Sequence, residues 1–224
     1  KGLYFVNDIT AWAFTSPQRG ILGNLLRGEV KHVIVPDLLL PLGRNSDTVE
    51  TLITFLNVLI EEGAVELQTY ATKLSLPDPV GCGLLAGIAE EELERKRKLW
   101  MRVGFMSRLL PISFSYSPRT VSLIQQFIAA REHRHEQPIS LSLPETSLEA
   151  ELPSEIATRI MLLTPAVIAQ LRAAEKLYGF RLQKQLQTLC LAHALSSGRD
   201  KATGEDYDFV AEATGFLNLS SSPV

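Results

Sequence analysis

Two short apolar runs, Leu3-Tyr4-Phe5-Val6 and His32-Val33-Ile34-Val35, each give way within two residues to an aspartate, Asp8 in one case and Asp37 in the other. Runs of this length, rich in β-branched and aromatic side chains, have the character of buried parallel strands. Between them, Pro17 to Arg27 carries leucines at helical spacing and closes at Gly28. The opening pattern is therefore strand, helix, strand, which commits the first part of the chain to an α/β architecture with a mainly parallel sheet.

The pattern continues downstream. Asp47 followed by Glu50 predicts a capping box, and Val49, Leu52, Ile53, Leu56, Leu59 and Ile60 follow at helical spacing until Gly63. Val65 to Thr72 alternates like a strand or hairpin arm, Pro77-Asp78-Pro79 predicts a turn, and Val80 to Ile88 reads as another buried strand. A charged helix over Glu90 to Trp100 leads to Leu110 to Tyr116, an expected final strand. Ser117 then caps, and Pro118 opens, a helix ending near Glu132. The composition turns to Pro, Ser and Glu over residues 134–153, which predicts a linker between an α/β core at 1–133 and a helical domain at 154–224. In that last part Thr164-Pro165 predicts the start of a helix ended by Gly179. Phe180 to Leu195 gives another, ended by Gly198, and Thr203 with Asp206 caps a third.

Composition narrows the functional classes. With 46% hydrophobic and 21% charged residues over 224 positions, the chain has enough apolar material for a folded core and no sustained repeat or like-charge block. No apolar run approaches the roughly 20 residues of a membrane-spanning helix, so no membrane partner is expected. A formal net charge of -3 argues against a globally basic nucleic-acid binder. Cys82 and Cys190 lie in apolar stretches without metal-type spacing, and a reduced, cytoplasmic setting is expected. The chain begins at Lys1 directly before an apolar run, without an initiator Met, and further sequence upstream is expected.

Candidate chemistry gathers at the strand ends. A carboxylate just beyond a hydrophobic strand lies at the edge of a parallel sheet where phosphates bind, and can hold Mg²⁺ there. Asp37 has that placement. Asp8 shares it, and Thr10 adds a hydroxyl nearby. The structural alternative for both is an ordinary carboxylate accepting backbone hydrogen bonds in the turn after a strand. The run Arg95-Lys96-Arg97-Lys98 follows Glu90-Glu91-Glu92 and Glu94, so it pairs opposite charges along one helix more readily than it forms a nucleic-acid surface. His133 and His135 have no further ligands close in sequence.

The order of these elements resembles the second half of an AAA+ ATPase core, specifically the MoxR and minichromosome-maintenance helicase branches. The likeness rests on Leu56-Asn57-Val58-Leu59-Ile60-Glu61-Glu62-Gly63-Ala64-Val65, on Cys82 to Ala89, on Ser107-Arg108-Leu109, and on the C-terminal stretches around Leu186, His193, Gly198-Arg199 and Thr203-Gly204-Glu205-Asp206. The resemblance implies that Asp37 is the metal carboxylate of an ATP–Mg²⁺ site. It implies that Arg108 is a catalytic arginine finger acting on a neighbouring subunit's nucleotide, and that Arg181 or Lys184 is a lid cation reaching the phosphates. It further implies a homo-oligomeric ring, a lid that moves with nucleotide state, and a protein or nucleic-acid client.

The departures from the family pattern are as informative. Leu38 stands where the family has its catalytic glutamate, and Gly87-Ile88-Ala89 supplies no polar side chain at the position that senses the γ-phosphate. No G-x-x-x-x-G-K-[ST] occurs in the 224 residues. In the family that loop precedes the strand matched by Leu3 to Val6, so an N-terminally truncated AAA+ protein is expected. By itself such a piece is expected neither to grip ATP tightly nor to hydrolyse it. The alternative reading is a non-catalytic, degenerate AAA+-like interaction or scaffold protein.

Overall fold

The computed structural model describes residues 2–10, 25, 29–68, 73–113, 115–130, 149–171 and 175–218. The predicted helix over Pro17 to Arg27 and most of the predicted linker lie outside these residues. The chain divides into two compact units, one over Lys1–Leu109 and one over Leu110–Leu219.

In the first unit, β1 (Gly2–Phe5), β2 (Val30–Val35) and β5 (Gly83–Ala86) form a parallel sheet in the order β1-β2-β5. Tyr4 pairs with Val33, and Phe5 with Ile34, which in turn pairs with Leu85. Side chains in register share a face, so this pairing sorts the sheet into two sides. Val33 and Val35 are each 1% exposed and point into the core, whereas Phe5 and Leu85 in the row with Ile34 are 68% and 66% exposed. The expectation of strands buried on both faces thus holds for one face only.

Val49, Leu52, Ile53 and Leu56 of α2 (Ser46–Asn57) and Trp100 of α3 (Glu90–Arg102) are buried in the same unit. Trp100 and Phe105 pack edge to face with centroids 5.3 Å apart, a geometry that aligns ring edge with ring face. The start of α2 differs from the predicted capping box. Asn45 is the cap, its Oδ1 accepting the Thr48 N–H at 3.0 Å, and Asp47 lies in the first turn, where its charge faces the amino end of the helix. Gly63 does end the helical run, at φ 76°, after a π turn over Val58–Glu62.

Between β2 and β5 the chain makes a second, two-stranded antiparallel sheet of β3 (Ala64–Gln68) and β4 (Lys73–Val80). Pro77-Asp78-Pro79 is therefore part of a strand, not a turn. A two-stranded ribbon leaves an edge of each strand unpaired, so the missing proline N–H groups cost no ladder bond there. The expected single strand over Val80 to Ile88 divides correspondingly: Val80 belongs to β4, and the Cys82 N–H donates to the Leu59 carbonyl at 3.0 Å before β5 begins.

The second unit is helical. Ser117 caps and Pro118 opens α4 (Pro118–Ala129), as expected, with Ser117 Oγ accepting the Thr120 N–H at 3.1 Å. The predicted strand over Leu110 to Tyr116 is reduced to one bridge between Ile112 and Leu217. Helix α5 (Ser154–Gln170) runs straight through Thr164-Pro165, which therefore does not start a helix. Proline is tolerated there because Met161, whose carbonyl loses its donor, is 47% exposed, and the buried Thr164 hydroxyl donates to the Ile160 carbonyl at 2.8 Å.

Helix α6 (Glu175–Ser196) is broken at Gly179, as expected, and places Tyr178, Leu182, Leu186, Cys190 and Ala194 in one fully buried stripe at four-residue spacing. Gly198 at φ 74° then closes α6, with the Arg199 N–H returning to the Ala194 carbonyl at 2.9 Å. Helix α7 (Gly204–Thr214) completes the unit.

Among the described residues no helix is long and apolar enough to cross a membrane.

Candidate functional site

The two strand-end aspartates occupy the same carboxyl edge of the parallel sheet, Asp8 beyond β1 and Asp37 beyond β2. Their surroundings differ. Asp8 is engaged by Arg44, whose Nη2 lies against Asp8 Oδ2 while Nη1 reaches the Ile9 carbonyl at 3.4 Å. Asp37 is exposed and meets no cation among the described residues. Its Oδ1 accepts the Leu39 N–H at 2.8 Å, at the entrance to the short helix α1 (Leu39–Leu42). One carboxylate oxygen of Asp37 is thus used locally, and its second oxygen makes no hydrogen bond among the described residues.

The floor beside Asp37 is built by β2 and β5 closing on each other. The Gly87 N–H donates to the Val35 carbonyl at 3.0 Å, and the Leu38 N–H donates to the Gly87 carbonyl at 2.9 Å. A Cβ on Gly87 would lie 2.3 Å from the Pro36 carbonyl oxygen, which is far inside contact distance. Glycine is required at this position, and its lack of a side chain follows from the backbone approach. Leu38 is 3% exposed, directed into the core rather than to the sheet edge.

Could these residues hold Mg²⁺? No group of three or more potential ligands occurs among the described residues. Mg²⁺ bound with a nucleotide keeps several waters and takes one or two protein carboxylates beside the phosphates. A single open carboxylate at a sheet edge fits that mode of binding and not a dedicated all-protein cage. Asp37 fits it better than Asp8, whose charge is already balanced by Arg44.

Arg108 lies in a 3-10 turn over Met106–Arg108. Its Nε is 2.6 Å from Glu61 Oε2, and its Nη1 donates to the Gly104 carbonyl at 2.8 Å. Arg181 and Lys184 belong to the second unit, on α6, one turn apart; Lys184 is exposed and Arg181 half-buried.

The strongest polar cluster among the described residues was only partly legible as a helix cap. Asp206 is fully buried, and its carboxylate accepts from the Thr203 N–H at 2.7 Å, the Thr203 hydroxyl at 3.0 Å, His193 Nδ1 at 2.7 Å and Arg199 Nη2. Burial pushes its pKa upward, but the hydrogen bonds from the Thr203 backbone, His193, the Thr203 side chain and Arg199 outweigh that and hold it below the ordinary carboxylate value. Phe209 stacks on the His193 ring at 4.1 Å. The sequence offered Thr203 and Asp206 as a cap, but nothing in local spacing announced that His193 and Arg199 share the same carboxylate.

No family model and no curated protein matches this chain. Among solved structures, a full-length MCM homolog from Methanopyrus kandleri is similar at a TM-score of 0.46 and 18% identity, over 83% of this chain and 36% of that one. The chain thus spans about a third of that protein's length. So slight a likeness decides neither fold family nor activity, and the functional reading rests on the chain's own residues.

Proposed function

We infer that this chain is part of an AAA+-like ATPase in which ATP binding drives remodelling of a protein or nucleic-acid client, and that Asp37 supplies the metal-side carboxylate of the nucleotide site. The observation that carries this reading is the open Asp37 carboxylate at the carboxyl end of β2, the central strand of a parallel sheet. That edge is where open α/β sheets take their ligands. Bound Mg²⁺ would neutralise charge on the β- and γ-phosphate oxygens. The protein's own contribution is to hold Asp37 still: Leu39 N–H fixes one carboxylate oxygen, and the Gly87 closure fixes the turn that bears it.

The same geometry argues for binding without turnover. Leu38 follows the metal aspartate and is buried, so no side chain at that position orients an attacking water. The residues around Gly87 bring only backbone to the sheet edge. Arg108, proposed to contact a neighbouring subunit in a homo-oligomeric ring, and Arg181 or Lys184, proposed to reach phosphates from the helical unit, supply charge but no base.

A second reading is a non-catalytic interaction protein that keeps the shape without the nucleotide. It is favoured by the engagement of Arg108 with Glu61 inside its own unit.

The two readings separate in an assay of ATP binding and ADP release by the full-length protein. The first expects stoichiometric retention of ATP with no turnover above background. Absence of any nucleotide retention supports the second, and steady ADP release contradicts the claim that position 38 disables hydrolysis.

A further inference from the structure

Glu61 and Arg108 come from elements well apart in the chain, yet three local backbone departures converge on their contact. The first is the π turn over Val58–Glu62, in which the Gly63 N–H reaches back five residues to the Val58 carbonyl at 2.8 Å. A π turn adds one residue to the helix and so rotates the residues beyond it by about 100° relative to an α-helical continuation. Glu61 lies within that turn, next to its last residue. The second is Gly63 at φ 76°, which lets the chain leave the helix at once into β3. The third is Gly104 at φ 74°, whose carbonyl accepts from Arg108 Nη1 and whose absent Cβ would lie 2.8 Å from that same nitrogen.

The result is an arginine paired by charge with a carboxylate, Nε lying 2.6 Å from Glu61 Oε2 without a hydrogen bond along that N–H, and donating through Nη1 to a backbone carbonyl, with its side chain 13% exposed. A guanidinium in that state has little charge to offer to anything else, because Glu61 already balances it. Nor can so deeply seated a side chain extend to another molecule without leaving Glu61. Phosphate oxygens and a carboxylate compete for the same donors of the guanidinium fork.

We propose that Glu61 is a latch for Arg108: the pair keeps the arginine within its own subunit, and contact with phosphate oxygens held by a second copy of the chain requires Arg108 to exchange Glu61 for them. The exchange rests on the reading of Arg108 as a residue acting between subunits; the latch itself does not. Glu61 is thus a positioning residue. Nucleotide on the neighbour favours the unlatched state and Glu61 the latched one, so assembly and nucleotide occupancy become coupled through one side chain.

The test is the rate at which phenylglyoxal modifies Arg108, followed by peptide mass spectrometry, with Arg159 as internal reference. Arg108 in the wild-type protein reacts slowly. In Glu61→Gln it reacts about fivefold faster, as expected for loss of one partly exposed ion pair, while Arg159 is unchanged. Glu61→Asp, which keeps the charge on a shorter stem, gives an intermediate rate and serves if Glu61→Gln folds poorly. Equal Arg108 rates in all three proteins overturn the latch.

The exchange is then read in the full-length protein as Mg-ATP-dependent self-association by light scattering, which Glu61→Gln shifts to lower protein concentration. If the modification rate rises while assembly is untouched, Arg108 is latched but does not act between subunits, and the exchange is overturned.

Discussion

Gly87 and Pro36 meet so closely that a methyl group on the glycine would lie 2.3 Å from the proline carbonyl oxygen. This contact seals the end of β5 against the turn bearing Asp37, and it shows why the sheet edge presents backbone there in place of a polar side chain. Gly87→Ala must therefore push the two strand ends apart. A loss of about 2–4 kcal/mol is expected, read by urea unfolding, with wild-type stability as the contrary result.

Leu38→Glu tests whether the residue after Asp37 can present a carboxylate to the sheet edge. Leu38 is 3% exposed, so the new carboxylate enters the core without a partner. The expected outcome is a destabilisation of about 3 kcal/mol or more and no gain of ATP turnover. A well-folded variant that hydrolyses ATP would show that position 38 can face the sheet edge.

Asp206 makes the helical unit sensitive to acid. Its folded pKa lies below the ordinary carboxylate value of about 3.9. Its contribution is complete above that value and is lost as pH falls through the folded pKa, since protonation removes the charge that His193, Arg199 and Thr203 address. Asp206→Asn should cost about 3 kcal/mol at neutral pH by leaving buried donors imperfectly matched, and should flatten stability against pH below about 4. Thermal melts followed by circular dichroism across pH 2–7 (roughly the range over which carboxylates titrate) read both effects.

Cys82 is 9% exposed, and burial raises its thiol to about 11. At pH 8 only about one such thiol in a thousand is the reactive thiolate. Ellman's reagent should therefore label Cys82 slowly in the native protein and rapidly in urea. Fast native labelling would mean that the loop between β4 and β5 opens readily.

Much of the fold follows from patterns that act locally. The strand runs ending at Asp8 and Asp37, the glycines that close α2 and α6, and the Ser117-Pro118 helix start each depend on one or two residues and stand where their chemistry puts them. The misreadings share a cause. Pro77-Asp78-Pro79 and Thr164-Pro165 carry turn and helix-start chemistry, yet an open ribbon edge accommodates one and an exposed carbonyl the other, and neither circumstance is written in the local sequence. The same holds at the candidate site. The position of Asp37 was legible, but the Glu61 contact of Arg108, the Gly87 closure and the four-donor shell of Asp206 depend on residues brought together from elsewhere in the chain.

Whether Asp37 holds the metal of a nucleotide site is read by titrating the full-length protein with ATP in Mg²⁺ and in EDTA. With Asp37 as the metal ligand, Mg²⁺ tightens binding by about tenfold in the wild type, Asp37→Asn removes this difference, and Asp8→Asn retains it. An unchanged Mg²⁺ effect in Asp37→Asn, or its loss in Asp8→Asn alone, would rule out Asp37 as the metal ligand.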